Sequence, residues 1–449
     1  MKSFFFLFVF FFSMNIVVNA HAAQPGMSDV RGGLTLEDAC RMAMENNPGI
    51  EQARQRILAA AAVLEQARSA WKPVISAKGA AQAVDATIQP DWAQTMRISD
   101  DFADWSAGVS FTWLIFDGFA RQAAILASDY AVDQSQQVLA DTRRLLLKAV
   151  STAFLQAQLT VEIMTIAQQN QQFNLKLEED ARKRWAIGTS PESVMLNFSV
   201  KALMAESDVR NAKRDFTVTC TVLAELMGMK DARLASGMTP VAAHIDTLAQ
   251  PLLAWDTEYA YALEHRSDLK AIKANIKALE QRLRAEKGGY YPRLSFIAGH
   301  DYQYINGRGT VTEEEHQSYA GISATWDLYT GGRIRAKIDE ISADIRTIEQ
   351  KEKQTLLAIE SSLHRHIETA NAALEDFRRQ QKIQDLTRLI RTHVEKSYRA
   401  GAATLTRLNE AQTDLVRAAG SVATSYIQYR LALISLNAET GRTGVYQQK

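Results

Sequence analysis

Two sets of residues in this sequence could in principle do chemistry: the histidines of "HRH", His364 to His366, and the cysteines Cys40 and Cys220. A metal pair on a helix needs ligands three or four apart, because positions two apart diverge around the axis. His364 and His366 lie in a long helical pattern and so point apart, which leaves them a solvated surface role. Both cysteines also fall in helical patterns; two in so long a chain argue against a disulfide framework, leaving free buried thiols or a single bridge. There is no G-x-S-x-G, P-loop, H-E-x-x-H or C-x-x-C. Lys plus Arg equals Asp plus Glu, at 51 each, so no bulk charge points to nucleic acid. No enzyme, no cofactor and no metal site is expected.

Function must then lie in the elements. Residues 1–22, "MKSFFFLFVFFFSMNIVVNAHA", hold one early lysine, a Phe-rich apolar core and small residues at Ala20 and Ala22. That is the layout of a secretory signal peptide, so the mature chain is expected to begin near Ala23, outside the cytoplasm. Beyond it no stretch reads as a transmembrane helix, and a chain that crosses a membrane must then do so with strands.

Most of the chain is a repeat. Trp113 falls on Trp326, 213 positions on (326 minus 113), and the same shift carries Gly118 onto Gly331, Trp185 onto Tyr398, Gly188 onto Gly401 and Gly228 onto Gly441. Upstream the shift is 219 (292 minus 73), carrying Pro73 onto Pro292 and Ile50 onto Leu269. A tandem duplication with a loop of variable length between the Pro and the Trp accounts for both. The expected division is a signal peptide (1–22), a first repeat (23–228), a connecting segment (229–254), a second repeat (255–441) and a tail (442–449).

Each copy reads in the same order. A helix comes first, from Leu34 to Ala70 and from about Trp255 to Lys287, with a capping box at Thr35 and Asp38. Pro73 and Pro292 stop these helices and begin strands. In the clearest strands Trp105, Ala107, Val109, Phe111, Trp113 and Ile115 alternate with Ser106, Gly108, Ser110 and Thr112. Likewise Ala320, Ile322, Ala324, Trp326 and Leu328 alternate with Tyr319, Gly321, Ser323, Thr325 and Asp327. Leu294, Phe296 and Ala298 alternate after Pro292, whereas the strand after Pro73 is Ala- and Gly-rich. Polar loops are expected at about residues 89–104 and 306–317. Strands of about 10 to 13 residues are long enough to cross a bilayer at a tilt. The face bearing Trp105, Val109, Phe111, Trp113, Ile322, Trp326 and Leu328 is therefore expected to meet lipid; a soluble β-sandwich would alternate in the same way.

From Phe119 to Trp185, and from Arg333 to Tyr398, there is no Pro and no Gly. Each stretch predicts a rod of about 100 Å. Ile334, Ile338, Ile341, Ile345 and Ile348 step by four and three, a coiled-coil seam, and Ile125, Val132, Leu139 and Leu146 fall seven apart. Gly188 and Gly401 suit the C-cap of each rod, Pro191 the start of a return helix. The expectation is an α+β protein in which each copy is a helical hairpin about 100 Å deep hung from a β-hairpin. Four strands cannot close a barrel, and an open edge in lipid leaves backbone groups unsatisfied, so a spanning chain must oligomerise.

The pattern "W…(F/Y)-x-G" at the strand-helix switch, "(W/Y)-x-x-G" at the helix tip and the terminal "(E/T)-x-G" resembles the TolC-type outer membrane efflux proteins across the mature chain. The resemblance implies a homotrimer with a 12-stranded barrel in outer-membrane lipid, continued by a helical coiled-coil barrel in the periplasm. It implies a passive exit duct for small molecules or, in type I secretion, proteins. A periplasmic adaptor and an inner-membrane pump of RND or ABC type would be its partners. It places an aperture beyond the second tip, carried here by Tyr398, Arg399, Arg407 and Glu410, and adaptor contacts at the tips, around Trp185, Gly188 and Gly401. Arg407 departs from the acidic residue of the family pattern, and three-apart Arg407 and Glu410 could equally pair at the surface. A non-conducting exported coiled-coil spacer or adhesin is the alternative.

Overall fold

The computed structural model describes residues 33–88, 98–235, 238–241, 254–307 and 312–442, so the expected signal peptide and most of the connecting segment and tail lie outside the described residues. Each half begins with two short helices rather than the single one expected. These are α1 (Leu36–Asn46) and α2 (Pro48–Ser69) in the first half, with α5 (Trp255–His265) and α6 (Ser267–Lys287) to be met in the second. Asn47 makes the first break. Its extended backbone (φ −69°, ψ 123°) suits the residue before a proline, and its side chain accepts from the Gly49 N–H at 2.8 Å. Arg266 makes the second with the same geometry (φ −67°, ψ 120°) and no proline. Apolar periodicity runs through both breaks, which is why it conceals them. Thr35 caps α1 as expected, accepting from the Asp38 N–H at 3.1 Å and donating to the Asp38 carboxylate at 2.6 Å.

Pro73 and Pro292 stand immediately before β1 (Val74–Ile88) and β3 (Arg293–Gly307). With β2 (Ile98–Phe116) and β4 (Thr312–Thr325) these form one antiparallel sheet in the order β1-β2-β3-β4, so the central pair joins the two repeats. The strands run further than expected, into both predicted polar loops. Polar residues pair in a ladder as readily as apolar ones, but they carry no hydrophobic alternation to reveal it. At the other end β4 stops short. Thr325 already pairs with Arg293, the first residue of β3, so Trp326 and Leu328 have no ladder partner and lie in the turn beyond the strand.

The long helices α3 (Ala120–Ala186) and α7 (Arg333–Arg399) have 67 residues each, about 100 Å of rod. Along α7, Ile334 and Ile341 of the predicted seam are buried, and Leu139 is buried on α3. The return helices α4 (Glu192–Leu226) and α8 (Leu405–Thr440) have only 35 and 36 residues. The hairpins are thus half as deep as expected, about 55 Å. The rest of each long helix is matched by the short helices, stacked end-on to the return helix. At the first joint Asn47 Nδ2 donates to the Leu226 carbonyl at 2.8 Å; at the second Arg266 Nη1 donates to the Glu439 carbonyl at 3.0 Å. Asn47 and Arg266 coincide under the 219 shift (266 minus 47), as Leu226 and Glu439 do under the 213 shift (439 minus 226). One correction concerns α3, which contains a window apolar enough by composition to cross a membrane. That helix packs against α2, α4, α6 and α8, and Leu139, Val150, Phe154 and Leu155 are among the apolar residues it buries there.

Candidate channel wall and helix-tip aperture

The sheet has two unlike faces. Ile75, Phe111, Ala298 and Ala320 share a row across all four strands, and Trp105, Val109, Trp113, Phe296 and Ile322 lie on the same face. Phe111 meets Phe296 edge-on, with ring centroids 6.0 Å apart. Ile322 is 72% exposed and Trp105 56%, so this is an uncovered apolar surface rather than one side of a sandwich. The opposite face is polar. Lys78 Nζ lies 3.1 Å from the Asp301 carboxylate, and Gln82 and Gln303 donate to Asp104 at 2.8 and 3.1 Å. Where the sheet meets the helices, Trp113 and Trp326 donate their indole N–H to the carbonyls of Trp71 and Tyr290, at 3.0 and 3.1 Å. Trp71 and Tyr290 are 219 positions apart (290 minus 71), so each repeat makes this anchor with equivalent residues.

The two strand-helix junctions differ in what locks them. In the first, buried Arg121 donates to the Asp117 carboxylate at 3.2 Å and to the carbonyls of Ala70, Leu114 and Ile115 at 3.1, 2.7 and 2.9 Å. Its guanidinium also lies 4.2 Å from the Trp71 ring. One side chain thus ties α2, β2 and α3 together. In the second repeat the equivalent positions hold Thr330 and Ile334. The sequence signal for this lock is an Asp-Arg pair four apart at a predicted helix start, easily passed over as a surface pair.

At mid-height the second joint is ionic. Arg266 donates to Asp268 at 2.7 Å and to the Glu439 carboxylate at 2.8 Å, and Ser362 donates to the same carboxylate at 3.2 Å. Lys148 lies 3.5 Å from Glu439, while Arg144 donates to the Ala438 carbonyl at 2.6 Å. Burial on its own would raise the Glu439 and Asp268 carboxyls, but the Arg266 guanidinium, helped by Arg144, holds both below the usual carboxylate range. The histidines lie here too: His364 is exposed, as expected of it, whereas the half-buried His366 corrects the solvated role expected of both. His364 stacks on Trp255 with centroids 4.8 Å apart, and His366 is half-buried beside Glu439 and Lys148. Cys40 and Cys220 are free thiols; Cys40 is buried, its Sγ 3.7 Å from Ser151 Oγ, and partial burial pushes Cys220 up to about 11.

At the far ends, Gly188 (φ +76°) and Gly401 (φ +78°) occupy the left-handed cap positions expected of them. The following N–H groups, of Thr189 and Ala402, reach back to Arg184 and Ser397 at 2.8 Å, a matching Schellman turn in each hairpin. Trp185 is 43% exposed one turn before the first tip. Tyr398 lies in the tip core with Leu177, Phe198 and Leu408, its ring 5.1 Å from the Arg184 guanidinium. Arg399 pairs with Glu395 at 2.7 Å, and Glu395 also pairs with Arg391 at 2.6 Å. Arg407 and Glu410 pair with each other at 3.1 Å, with both side chains more than half exposed. The structure therefore groups Tyr398 with the first hairpin's Arg184, a contact no spacing reveals, and sets Arg407 and Glu410 apart on α8.

Comparison with known proteins agrees with this architecture. The outer membrane efflux protein family matches residues 39–229 and 259–442. Protein CyaE of Bordetella pertussis is 21% identical over 429 residues, covering 94% of this chain and 86% of that protein. The CmeC outer membrane channel of Campylobacter jejuni superposes with a TM-score of 0.78 at 13% identity, covering 92% of this chain and 87% of that one. The outer membrane protein VceC of Vibrio cholerae gives 0.74 at 16% identity, over 90% and 96%. This chain belongs to the outer membrane efflux protein family: it is an outer-membrane efflux duct and not an enzyme.

Proposed function

We propose that three copies of this chain close one 12-stranded barrel in the outer membrane. The helices would continue the bore into the periplasm, making a passive exit for cargo that an adaptor and an inner-membrane pump deliver. The carrying observation is the sheet itself: among the described residues of one chain β1 and β4 each have a single neighbour, and the face they share is apolar. In lipid those two edges need partners, and a neighbouring copy supplies them without leaving an edge. Exposed apolar stripes support the same assembly lower down. Leu196, Val200 and Leu203 stand uncovered on α4, and Leu386 and Ile390 on α7, as faces of a helical barrel would.

In this reading the repeats divide at residues 23–228 and 255–441, joined by 229–254, and the tips form the periplasmic end. Tyr398 and Arg399, with Arg184 and Glu395 as their partners, hold the aperture shut; Glu410, paired with Arg407, faces the bore. Trp185 and the two tip turns are offered to the adaptor. Purified protein in a planar bilayer tests this. It should migrate as a heat-modifiable oligomer and conduct in steps, and Tyr398→Ala with Arg399→Ala should raise the conductance. Protein that inserts without conducting would support a spacer or adhesin instead.

A further inference from the structure

On the polar face of the sheet Lys78, Asp301 and Tyr319 lie across neighbouring strands, and two glycines allow it. Lys78 on β1 reaches Asp301 on β3 at 3.1 Å by crossing the intervening β2 at Gly108. A Cβ at Gly108 would stand 2.8 Å from Lys78 Cε and clash with the Asp301 carboxylate. One row below, Tyr319 on β4 lies across Gly299 on β3, where a Cβ would stand 2.6 Å from the phenol oxygen and Cζ. Both contacts are far inside van der Waals separation, so each glycine is a slot that a longer neighbour fills. In the two rows above, Gln303 and then Gln82 with Asp104 are likewise tied sideways, strand to strand. Lys78, Tyr319, Gln82 and Gln303 thus run along the wall instead of away from it.

We propose that Gly108 and Gly299 set the bore of the barrel, and so the size of cargo that passes, by laying Lys78, Asp301 and Tyr319 flat. The inference rests on the duct reading, which makes this face the lumen. Side chains on the inner face of a closed wall converge on the axis, and three copies bring three phenols and three Lys-Asp pairs to adjacent levels. Filling the slots turns these groups inward and narrows the barrel. With its charges paired, this level selects by width more than by sign.

The test uses Ser76→Cys, which places a thiol on the same face just below Lys78, in a Cys220→Ser background. A small maleimide and a graded series of polyethylene-glycol maleimides are added to the outside of cells. In the otherwise unaltered wall the wide reagents should label. With Gly108→Val and Gly299→Val their rate should fall about tenfold, equivalent to about 1.4 kcal/mol of barrier, while the small maleimide is unaffected. Adding Tyr319→Ala to Gly299→Val should restore the wide reagents. An unchanged size limit in the valine variants overturns the proposal. If Gly299→Val fails to assemble, assembly restored by Tyr319→Ala supports the slot, and failure of both variants overturns it. If even the small maleimide cannot reach Ser76→Cys, the face is not lumenal and the duct reading itself fails.

Discussion

The two repeats share one plan and differ in how they are fastened. At mid-height the first joint is neutral: Asn47 holds the end of α4 above a core of Leu34, Ala43, Phe154 and Leu223. The second puts a buried arginine, two carboxylates and a lysine into the same place. At the membrane end the arrangement reverses, with a buried Asp117–Arg121 lock in the first repeat and Thr330 with Ile334 in the second. Duplication therefore preserved backbone contacts, such as the carbonyls of Leu226 and Glu439 and those of Trp71 and Tyr290. The side chains that serve them diverged. Among the described residues, the buried arginine lock lies at the membrane end in the first repeat and at mid-height in the second.

The largest effect should come from breaking the ionic joint on one side. Arg266→Ala leaves the partly buried Glu439 and Asp268 without their main partner and should cost about 3 kcal/mol. Asn47→Ala, at the equivalent site, removes a helix cap and one hydrogen bond, for about 1–2 kcal/mol. Denaturant unfolding of the purified protein compares them, and equal losses would mean the joints are not energetically different.

Next comes a transplant. Arg121→Ile alone takes the guanidinium from buried Asp117, leaving it the backbone N–H of residue 121, and should destabilise by about 3 kcal/mol. Asp117→Thr added to it reproduces the second repeat's pair and should recover most of that loss. If the double variant is no better than the single, the lock does more than satisfy its own charges.

Acid should separate the joints more gently. Glu439 and Asp268 have folded-state values held below their ordinary 4.5 and 3.8. A depressed carboxylate contributes stability that is present above its unfolded value and is lost as pH falls through the folded one. The second joint should thus weaken as pH drops below about 4.5, while Asn47 at the first bonds to the Leu226 carbonyl and the Gly49 N–H, neither of which titrates. Hydrogen exchange corrected for intrinsic rates should show the ends of α6 and α8 losing protection before those of α2 and α4. Glu439→Gln should flatten the dependence.

The smallest effect is expected at the tip. Arg407→Ala breaks an exposed pair and should change stability by no more than about 0.5 kcal/mol. A larger loss would mean the pair is covered in the assembled protein.

How much of this was legible follows from what each signal measures. Absence of Pro and Gly delimited both long helices to within a residue or two, and the repeat phased the whole chain. Strand alternation found the apolar face but not its extent, because polar ladder residues such as those near Asp100 look like loop. The helix breaks at Asn47 and Arg266 interrupt hydrogen bonding without interrupting apolar spacing, so periodicity passes over them. Arg184 over Tyr398, and Arg266 on Glu439, join residues far apart in sequence and have no local trace. At the tips, the sequence foresaw the Gly188 and Gly401 caps and the Arg407–Glu410 pair.

The central claim, that each chain's free edges are closed by another copy, has a direct measurement. Ser76→Cys on β1 is combined in turn with Gln317→Cys, Tyr319→Cys, Gly321→Cys and Ser323→Cys on β4, and the outer membranes are oxidised. One combination should give a covalent species of three chains, reverting to monomer on reduction. Monomers in every combination, or an open ladder of ever larger species, would contradict a closed three-chain barrel.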